Sequence, residues 1–356
     1  MCRTRNASSR RRAGCPASDP IVVSGSIGIA VNPASGKDVR RLVARASVFD
    51  NQEKCAIVRR AIVGALGAGA TSFAYVPDSH HIAESAFSEF DGNVCAHAVD
   101  APQSGSVFDT IHGARALAAE RCAVVLTLGG DGTNRAVAIG WPDAPLIPIS
   151  TGTNNVFPRF VEATVAGAAA GLIASGRVAL ADVARRAKVI HVTIDAERDD
   201  IALIDAVLSA ERFIGARALL EADLLRLALL TRADPGAVGM TAIGGLLAPL
   251  ADDVDAALAL TLGYGRDAVR APIAPGLYAD VRVAGARRVA FGETIEVCGP
   301  GVLAFDGERE RTLKPGQRAT LTVRRDGPWV VDVPRTLGAA AASGAFRIRL
   351  GEPDGD

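Results

Sequence analysis

One segment, residues 123–133, places the strongest constraint on the fold, because an apolar run in it ends abruptly at Gly-Gly-Asp-Gly-Thr. The run Ala123–Leu128 is β-branched and too short for an isolated helix, so it predicts a buried strand of a parallel sheet. The three glycines that follow remove the Cβ atoms that would keep a ligand away from the backbone. Thr133 is placed to cap a helix, whose free N–H groups would face an anion. The pattern predicts a ligand site at the carboxyl end of a strand, with Asp131 at its mouth.

Strands and helices are predicted to alternate over the first half of the chain. The predicted strands are Ile27–Val31, Phe73–Pro77, Val94–Val99, the 123–128 run and Pro145–Ser150. The predicted helices span 53–66, 78–90, 104–120 and 162–174, with a short helix from Asn134. This alternation implies a parallel sheet with right-handed crossovers, as in α/β domains.

From about residue 181 the pattern changes to short strands separated by turn signals, which predicts a mainly β, sandwich-like second domain. The predicted strands span 189–195, 201–208, 257–262, 276–283, 294–297, 302–305, 319–323 and 329–333, with one helix at 216–230. We therefore expect four regions along the chain. They are a disordered basic leader (1–23), an α/β domain (24–158), a β-rich domain that completes a cleft (159–335) and a C-terminal tail (336–356).

Three further polar turns follow predicted strands. The turn Asn32–Asp38 lacks the Walker A pattern, but it places a glycine and Lys37 before a helix, which suits phosphate oxygens. The turn Thr151–Asn155 offers hydroxyls, a glycine and two amides suited to phosphate or ribose. The turn Asp306-Gly307-Glu308 is acidic, although Asp-Gly alone is a common hairpin turn.

As an ordered set, these turns resemble those of one kinase superfamily. The segment Gly129–Thr133 resembles the GGDGT signature of NAD kinases, diacylglycerol kinases and sphingosine kinases, which move the γ-phosphoryl group of ATP to a hydroxyl. The turns at 32–37 and 151–155 resemble those of the lipid-kinase branch, except that Asn155 replaces an Asp. The turn at 306–308 resembles the acidic turn in the β domain of these kinases.

Over about Ile27 to Glu310 the chain is most similar to the ATP-NAD kinase-like proteins encoded with acetoin-cleaving dehydrogenase complexes. The segments that carry this resemblance are Asn32–Lys37, Gly129–Pro158, Asp200–Asp205, Gly215–Ala218, Thr241–Gly245 and Leu303–Glu310. The resemblance implies a NAD kinase/diacylglycerol kinase-like fold, an α/β domain that binds ATP, and Mg²⁺ as cofactor. Related kinases commonly self-associate, so a homo-oligomer is consistent with it. The acceptor stays open, because the chain has no Asn-Glu pair of the NAD kinase dinucleotide motif.

Phosphoryl transfer needs positioning, a metal to bridge phosphates and donors for developing charge, and these needs assign roles to particular residues. The residues expected to bind nucleotide are Asn32, Ser35, Lys37, Gly129, Gly130, Gly132, Thr133, Thr153, Asn154 and Asn155. Asp131 would accept the proton of the acceptor hydroxyl late in the reaction, since a carboxylate of pKa about 4 is a poor base for a free alcohol. Asp306 is the rival base. Either Asp306 or Glu308 could instead contact Mg²⁺ through water.

Composition excludes several other classes of function. Lys+Arg and Asp+Glu both total 39, whereas a general nucleic-acid binder would carry a basic surplus. No apolar run is long enough to span a membrane. The six cysteines are scattered without a CxxC pair, which is typical of reduced thiols, so we expect a cytoplasmic protein.

Three functions remain open from the sequence. The first is a kinase for a small molecule or nucleotide, with NAD as the default acceptor. The second is a lipid kinase, favoured by the Gly152-Thr153-Asn154 turn but opposed by the lack of a basic amphipathic helix. The third is a non-catalytic nucleotide-binding accessory protein, which the missing acid at Asn155 supports.

Overall fold

The structure is a computed structural model that describes residues 25–36, 50–90, 92–152, 154–210, 222–307 and 309–348. The expected leader over 1–23 lies outside these residues. The helices of the described part are α1 (Asn51–Gly67), α2 (Ile82–Phe87), α3 (Val107–Ala119), α4 (Asp131–Gly140), α5 (Ala163–Ala174), α6 (Leu180–Val183), α7 (Met240–Leu247) and α8 (Val333–Ala342). Its first strands are β1 (Ile27–Val31), β2 (Ser72–Tyr75), β3 (Cys95–Ala98), β4 (Val124–Gly129), β5 (Pro145–Ser150) and β6 (Ala184–Arg186). The later strands are β7 (Val189–Ile194), β8 (Asp200–Ala202), β9 (Asp205–Ser209), β10 (Leu225–Leu230), β11 (Ala256–Ala274), β12 (Leu277–Ala290), β13 (Thr294–Cys298), β14 (Gly301–Phe305), β15 (Arg309–Leu313), β16 (Arg318–Arg324) and β17 (Trp329–Val331).

A seven-stranded sheet in the order β3-β2-β1-β4-β5-β17-β6 forms the centre of the first layer. Strands β1 to β5 run parallel to their neighbours, and the β1–β4 pair places Ile27 opposite Val124 and Val31 opposite Leu128. Strand β17 pairs parallel with β5, and β6 pairs antiparallel with β17. The predicted parallel sheet is therefore confirmed, and the carboxyl ends of β1, β4 and β5 lie side by side at one edge.

Helices α1 and α5 pack on this sheet with their backbones in close approach. A Cβ atom at Gly64 would overlap the carbonyl oxygen of Thr164, and one at Gly167 would overlap the carbonyl oxygen of Ala61. Only 4% of the chain is aromatic, so close helix packing, rather than large side chains, gives this core its density.

The second half of the chain forms two antiparallel sheets. One has six strands in the order β12-β11-β10-β9-β14-β15, and the other has four in the order β13-β16-β7-β8. Their inner faces share one apolar core, to which Ile190 and Val192 contribute from one sheet and Leu229, Leu303 and Phe305 from the other. The predicted mainly β second part is therefore confirmed.

The helix predicted at 216–230 is wrong over its described part. Residues Leu225–Leu230 form strand β10, a 3₁₀ turn occupies Ala222–Leu224, and residues 216–221 lie outside the described part. Strand β10 pairs with β9 on one side and β11 on the other, which explains its continuous leucine-rich run. Such a short apolar run has no period that separates a buried strand from a helix. The helix of this region is α7, which the sequence pattern does not predict.

The prediction that Thr133 caps a helix starting at Asn134 is also wrong. Helix α4 starts at Asp131, and its N-cap residue is Gly130. Thr133 therefore lies within the first turn of the helix, where its hydroxyl is available to a neighbouring segment. Helix α4 follows β4 directly, so the turn between them is one residue long.

Several elements that follow residue 158 in the chain belong to the first layer. Strands β6 and β17 lie in the seven-stranded sheet, and residues from α5 and α8 join its apolar core. Within the described ranges, no helix combines the length and the apolar character needed to cross a lipid bilayer.

Candidate functional site

The turns after β1 and β5 and the first turn of α4, which follows β4, are linked by hydrogen bonds. The side-chain amide of Asn32 donates to the hydroxyl of Thr133 over 2.8 Å. The hydroxyls of Ser35 and Thr151 form a hydrogen bond of 2.8 Å. Segments that are separate in the sequence are therefore joined at the carboxyl edge of the sheet, where open α/β sheets bind ligands.

The conformation of the turn Asn32–Gly36 is fixed by hydrogen bonds inside the turn and by hydrogen bonds from a lysine side chain of α1. The backbone N–H of Ala34 donates to the Asn32 side chain at 2.9 Å, and the Ser35 hydroxyl donates to the Asn32 carbonyl at 2.8 Å. The ammonium group of Lys54, which is fully buried, donates to the carbonyl oxygens of Asn32 (3.0 Å), Pro33 (3.0 Å) and Ser35 (2.7 Å). Gly36 has a φ of +79°, a left-handed conformation that favours glycine.

Asp131 is the first residue of α4 and is 9% exposed to solvent. Its carboxylate accepts the backbone N–H of Phe157 at 2.7 Å and that of Val156 at 3.0 and 3.1 Å. These bonds fix the carboxylate against the loop that follows β5. A carboxylate in the first helical turn also interacts favourably with the helix dipole.

The first two glycines of the GGDGT pentapeptide lie close to neighbouring side chains. A Cβ at Gly129 would overlap the side chain of Thr133, and one at Gly130 would lie 2.8 Å from Oδ1 of Asn155. The amide of Asn155 donates to the Ser150 hydroxyl at 2.9 Å. The glycines therefore admit neighbouring polar side chains as well as any ligand.

Asp306 is buried and has a positive φ of +50°. Its carboxylate accepts the backbone N–H groups of Leu203 (3.0 Å to each oxygen), Ile204 (2.7 Å) and Asp205 (3.3 Å). Burial raises the pKa of Asp306 to about 6, although these N–H groups and the guanidinium of Arg135 lower it. Asp306 therefore holds the connection between β8 and β9.

Arg135 joins the helix that carries Asp131 to the β-rich half of the chain. Its buried guanidinium forms an ion pair with Asp200, donates to the carbonyl of Ile201 and lies 3.9 Å from Oδ2 of Asp306. It also lies over the ring of Phe305, 5.6 Å from the centroid. Asp131 and Asp306 are therefore connected through one turn of α4 and a single side chain.

A second cation, Arg232, comes from the β-rich half and contacts the loop that fixes Asp131. Arg232 donates to the carbonyl of Val156 over 3.4 Å and forms an ion pair of 3.3 Å with Asp252. Both halves of the chain thus contact the loop after β5.

Not all the predicted site residues fall in this cluster of contacts. Lys37, Thr153 and Glu308 lie outside the described residues. Asn154 is exposed, and Gly132 is half-buried in the first turn of α4. Among the described residues, no group of three or more His, Cys, Asp or Glu side chains could hold a metal ion.

Two family models match the chain, one in its N-terminal part and one in its β-rich part. The model of the ATP-NAD kinase N-terminal domain matches residues 27–178, and that of the acetoin catabolism protein X C-terminal domain matches residues 188–326. The chain is 37% identical over 323 residues to acetoin catabolism protein X of Cupriavidus necator, and the match covers 86% of this chain and 90% of that relative. The chain belongs to the acetoin catabolism protein X family. In this member of the family, the expected resemblance to NAD kinases is confirmed for the N-terminal part.

The chain is also similar to solved structures, at lower sequence identity. A crystal structure of yeast NADH kinase complexed with NADH has a TM-score of 0.49 at 14% identity, covering 92% of this chain and 90% of that chain. A putative diacylglycerol kinase from Bacillus anthracis str. Sterne has a TM-score of 0.45 at 12% identity, covering 86% of this chain and 98% of that chain.

Sequence reasoning missed the charged residues that hold the site of this acetoin catabolism protein X family member together. They are Lys54, Arg135, Asp200 and Arg232. For Arg135, its place two residues after the GGDGT signature is a signal that could have found it, since position i+4 from Asp131 lies on the same helix face. Lys54 has no such signal, because a lysine in the first turn of a helix is ordinarily exposed.

Proposed function

We propose that this chain is an ATP-dependent phosphotransferase that moves the γ-phosphoryl group of ATP to a hydroxyl of a small molecule or nucleotide. NAD is the first acceptor to test. The observation that carries the proposal is the joining of three strand-end turns through the Asn32–Thr133 and Ser35–Thr151 hydrogen bonds. Phosphoryl transfer depends mainly on positioning and on stabilising charge, which such an arrangement can supply. The match to the ATP-NAD kinase N-terminal domain supports the same class of reaction.

In this proposal the phosphates bind along the glycine-rich start of α4 and the Asn32–Gly36 turn. Backbone N–H groups at glycine turns and helix starts bind phosphate without a dedicated cation. The half-buried Ser35 hydroxyl lies at the same edge and is suited to phosphate or ribose, and the buried Thr151 hydroxyl holds it in place. The loop that contains Asn154 and Asn155 would contact ribose, phosphate or the acceptor.

We assign the role of base to Asp131 rather than to Asp306. Asp131 keeps some exposure, and the N–H groups of Val156 and Phe157 orient its carboxylate. The side chain of Asp306 is 0% exposed, and its carboxylate already accepts hydrogen bonds from backbone N–H groups. A substrate hydroxyl could therefore reach it only if strands moved. Asp131 would take the proton of the acceptor hydroxyl as the new oxygen–phosphorus bond forms. The bond from the γ-phosphorus to the bridging oxygen breaks in the same step, and ADP leaves.

In this proposal Mg²⁺ binds at the site together with the nucleotide phosphates. Mg²⁺ usually keeps several waters and is bound by one or two carboxylates together with substrate phosphates, so a cage made only of protein ligands is not required. The enclosed carboxylate of Asp306 offers it no open oxygen. Asp131 is the carboxylate that would meet the hydrated ion. When bound, Mg²⁺ would neutralise phosphate charge.

The test is a phosphoryl-transfer assay with purified protein, labelled Mg-ATP and a panel of NAD, diacylglycerol, thiamine-type and acetoin-type acceptors. We expect labelled product with at least one hydroxyl acceptor. Asp131→Asn should lower kcat by at least about 100-fold, as expected for loss of a general base. Asp267→Asn, which changes an exposed carboxylate of β11, is the matched control. A kcat for the Asp131 variant within threefold of the parent would exclude the assigned base.

One observation favours a second candidate, a non-catalytic nucleotide-binding accessory protein. Asn155 stands where the lipid-kinase turn that the chain resembles carries an acid. Its uncharged amide hydrogen-bonds within its own loop. Binding of Mg-ATP without product on any acceptor of the panel would favour this candidate.

A further inference from the structure

We propose that Lys54 is a positioning residue for the nucleotide phosphates and acts through the Asn32–Gly36 turn without touching the nucleotide. The inference rests on the proposed function, because it concerns the same phosphate site. It assigns a role to a side chain that lies 17 residues after Lys37, the lysine that the sequence pattern singles out.

Three hydrogen bonds of Lys54 go to one turn. Its ammonium donates to the carbonyls of Asn32, Pro33 and Ser35, and it lies 3.4 Å from Oδ1 of Asn51. Burying an ammonium group is costly unless several acceptors surround it. Three carbonyl oxygens of one short turn provide such an environment and fix the direction in which the carbonyls point.

Fixing the Ser35 carbonyl also fixes the N–H of Gly36. In a trans peptide the C=O and the following N–H point in opposite directions. The Ser35 carbonyl points at Lys54, so the N–H of Gly36 points away from it. The positive φ of Gly36 allows the backbone to keep this arrangement. The turn therefore directs its oxygens at a buried cation and the Gly36 N–H to its other side.

Charge strengthens this arrangement. A cation held in a poorly hydrated interior acts over a longer range than one in water. The Lys54 ammonium lies on the side to which the Asn32, Pro33 and Ser35 carbonyl oxygens point, and the Gly36 N–H points to the other side. The potential of the ammonium therefore adds to that of the Gly36 N–H dipole, and both favour an anion at the edge of the sheet.

The chain contains a matched control in Lys188. Lys188 is also buried and also donates to three backbone carbonyls, those of Thr231 (2.7 Å), Ala251 (3.3 Å) and Ala256 (2.9 Å). Those carbonyls come from separate segments of the β-rich half rather than from the turn after β1. Loss of Lys188 therefore reproduces the structural cost of losing a buried lysine without altering the Asn32–Gly36 turn.

The experiment measures binding of Mg-ATP and of inorganic tripolyphosphate by calorimetry to the parent, Lys54→Met, Lys54→Gln and Lys188→Met. Circular dichroism and urea unfolding establish that each variant is folded. We expect both Lys54 variants to raise the Kd for both probes by at least about tenfold, because the misplaced Gly36 N–H loses a hydrogen bond to a charged ligand. Lys188→Met should change these Kd values by less than twofold. Gln retains a donor for the carbonyls, so Lys54→Gln provides the test if the Met variant does not fold.

The outcomes separate this inference from the proposed function. If the parent binds the probes and a folded Lys54 variant binds them within twofold, the positioning role is excluded and the proposed function stands. If Lys188→Met weakens binding as much as the Lys54 variants, a general loss of stability explains the effect and the positioning role is again excluded. If the parent binds neither probe, the proposed function fails, and the inference fails with it.

Discussion

Replacing Asp306 by Asn should change the way in which the stability of the fold depends on pH. Burial raises the pKa of Asp306 from an ordinary 3.8 to about 6, against the opposing effect of the Leu203 and Ile204 N–H groups and of Arg135. An acid with a higher pKa in the folded chain binds its proton more tightly there, so protonation stabilises the fold. This contribution is complete below about pH 4 and is lost as the pH rises through 6.

The size of the effect follows from the two pKa values. Each tenfold change in proton affinity is worth about 1.4 kcal/mol, so a pKa of about 6 in place of 3.8 corresponds to about 3 kcal/mol of unfolding free energy. Asn is the suitable replacement, because it tolerates the left-handed backbone at position 306 and retains one oxygen for the N–H donors. Its amide does not titrate, so the variant lacks this contribution at every pH.

The assay is urea unfolding of the parent and of Asp306→Asn between pH 4 and 8. The unfolding free energy of the parent minus that of the variant should fall by about 2.4 kcal/mol between pH 4 and 7, because at pH 4 part of the full contribution of about 3 kcal/mol is already lost. Asp267→Asn, at an exposed position, should show no comparable fall. A difference that stays constant would show that the N–H donors and Arg135 cancel the effect of burial, and one that increases with pH would show that they outweigh it; either result would refute the reasoning.

Three further predictions concern packing and burial. Arg135→Met should lower the unfolding free energy by about 3–5 kcal/mol in urea, because buried carboxylates lose their cation; a loss below about 1 kcal/mol would contradict this. Gly129→Ala should cost about 1–3 kcal/mol, since its Cβ would overlap a side chain in the first turn of α4. Gly67→Ala, whose Cβ meets nothing within 4 Å, should cost less than about 0.5 kcal/mol in the same titration. Iodoacetamide should label the exposed Cys298 in the native protein and spare Cys122, whose pKa burial raises to about 12; labelling of Cys122 before unfolding would refute this.

The parallel sheet and its strand-end turns could be predicted because their signals are local. An apolar run followed by glycine and polar residues identifies both a strand and its end, as at Gly129–Thr133 and Thr151–Asn155. Parallel pairing then brings such ends to one edge, so the approximate location of the candidate site follows from the sequence alone. The contacts Asn32–Thr133 and Ser35–Thr151 are consequences of that topology.

What could not be predicted depends on contacts between distant positions. Lys54 binds carbonyls 19 to 22 residues before it, and Asp306 accepts N–H groups about a hundred residues before it. Nothing in the local sequence of either residue indicates burial. The same limit explains the error at Leu225–Leu230, where pairing on both sides, and not the local pattern, decides that the segment is a strand.

Strand β17 lies between β5 and β6, so a late stretch of the chain covers the flank of β5. A fragment that ended at residue 178, where the ATP-NAD kinase match stops, would leave that flank open at the start of β5, where β17 pairs with Pro145 and Leu146. Open flanks of this kind recruit strands from other molecules and promote aggregation. The two matched regions are therefore poor candidates for dissection or for exchange between relatives as independent modules, and genetic fusions should keep residues 329–331 with the first layer.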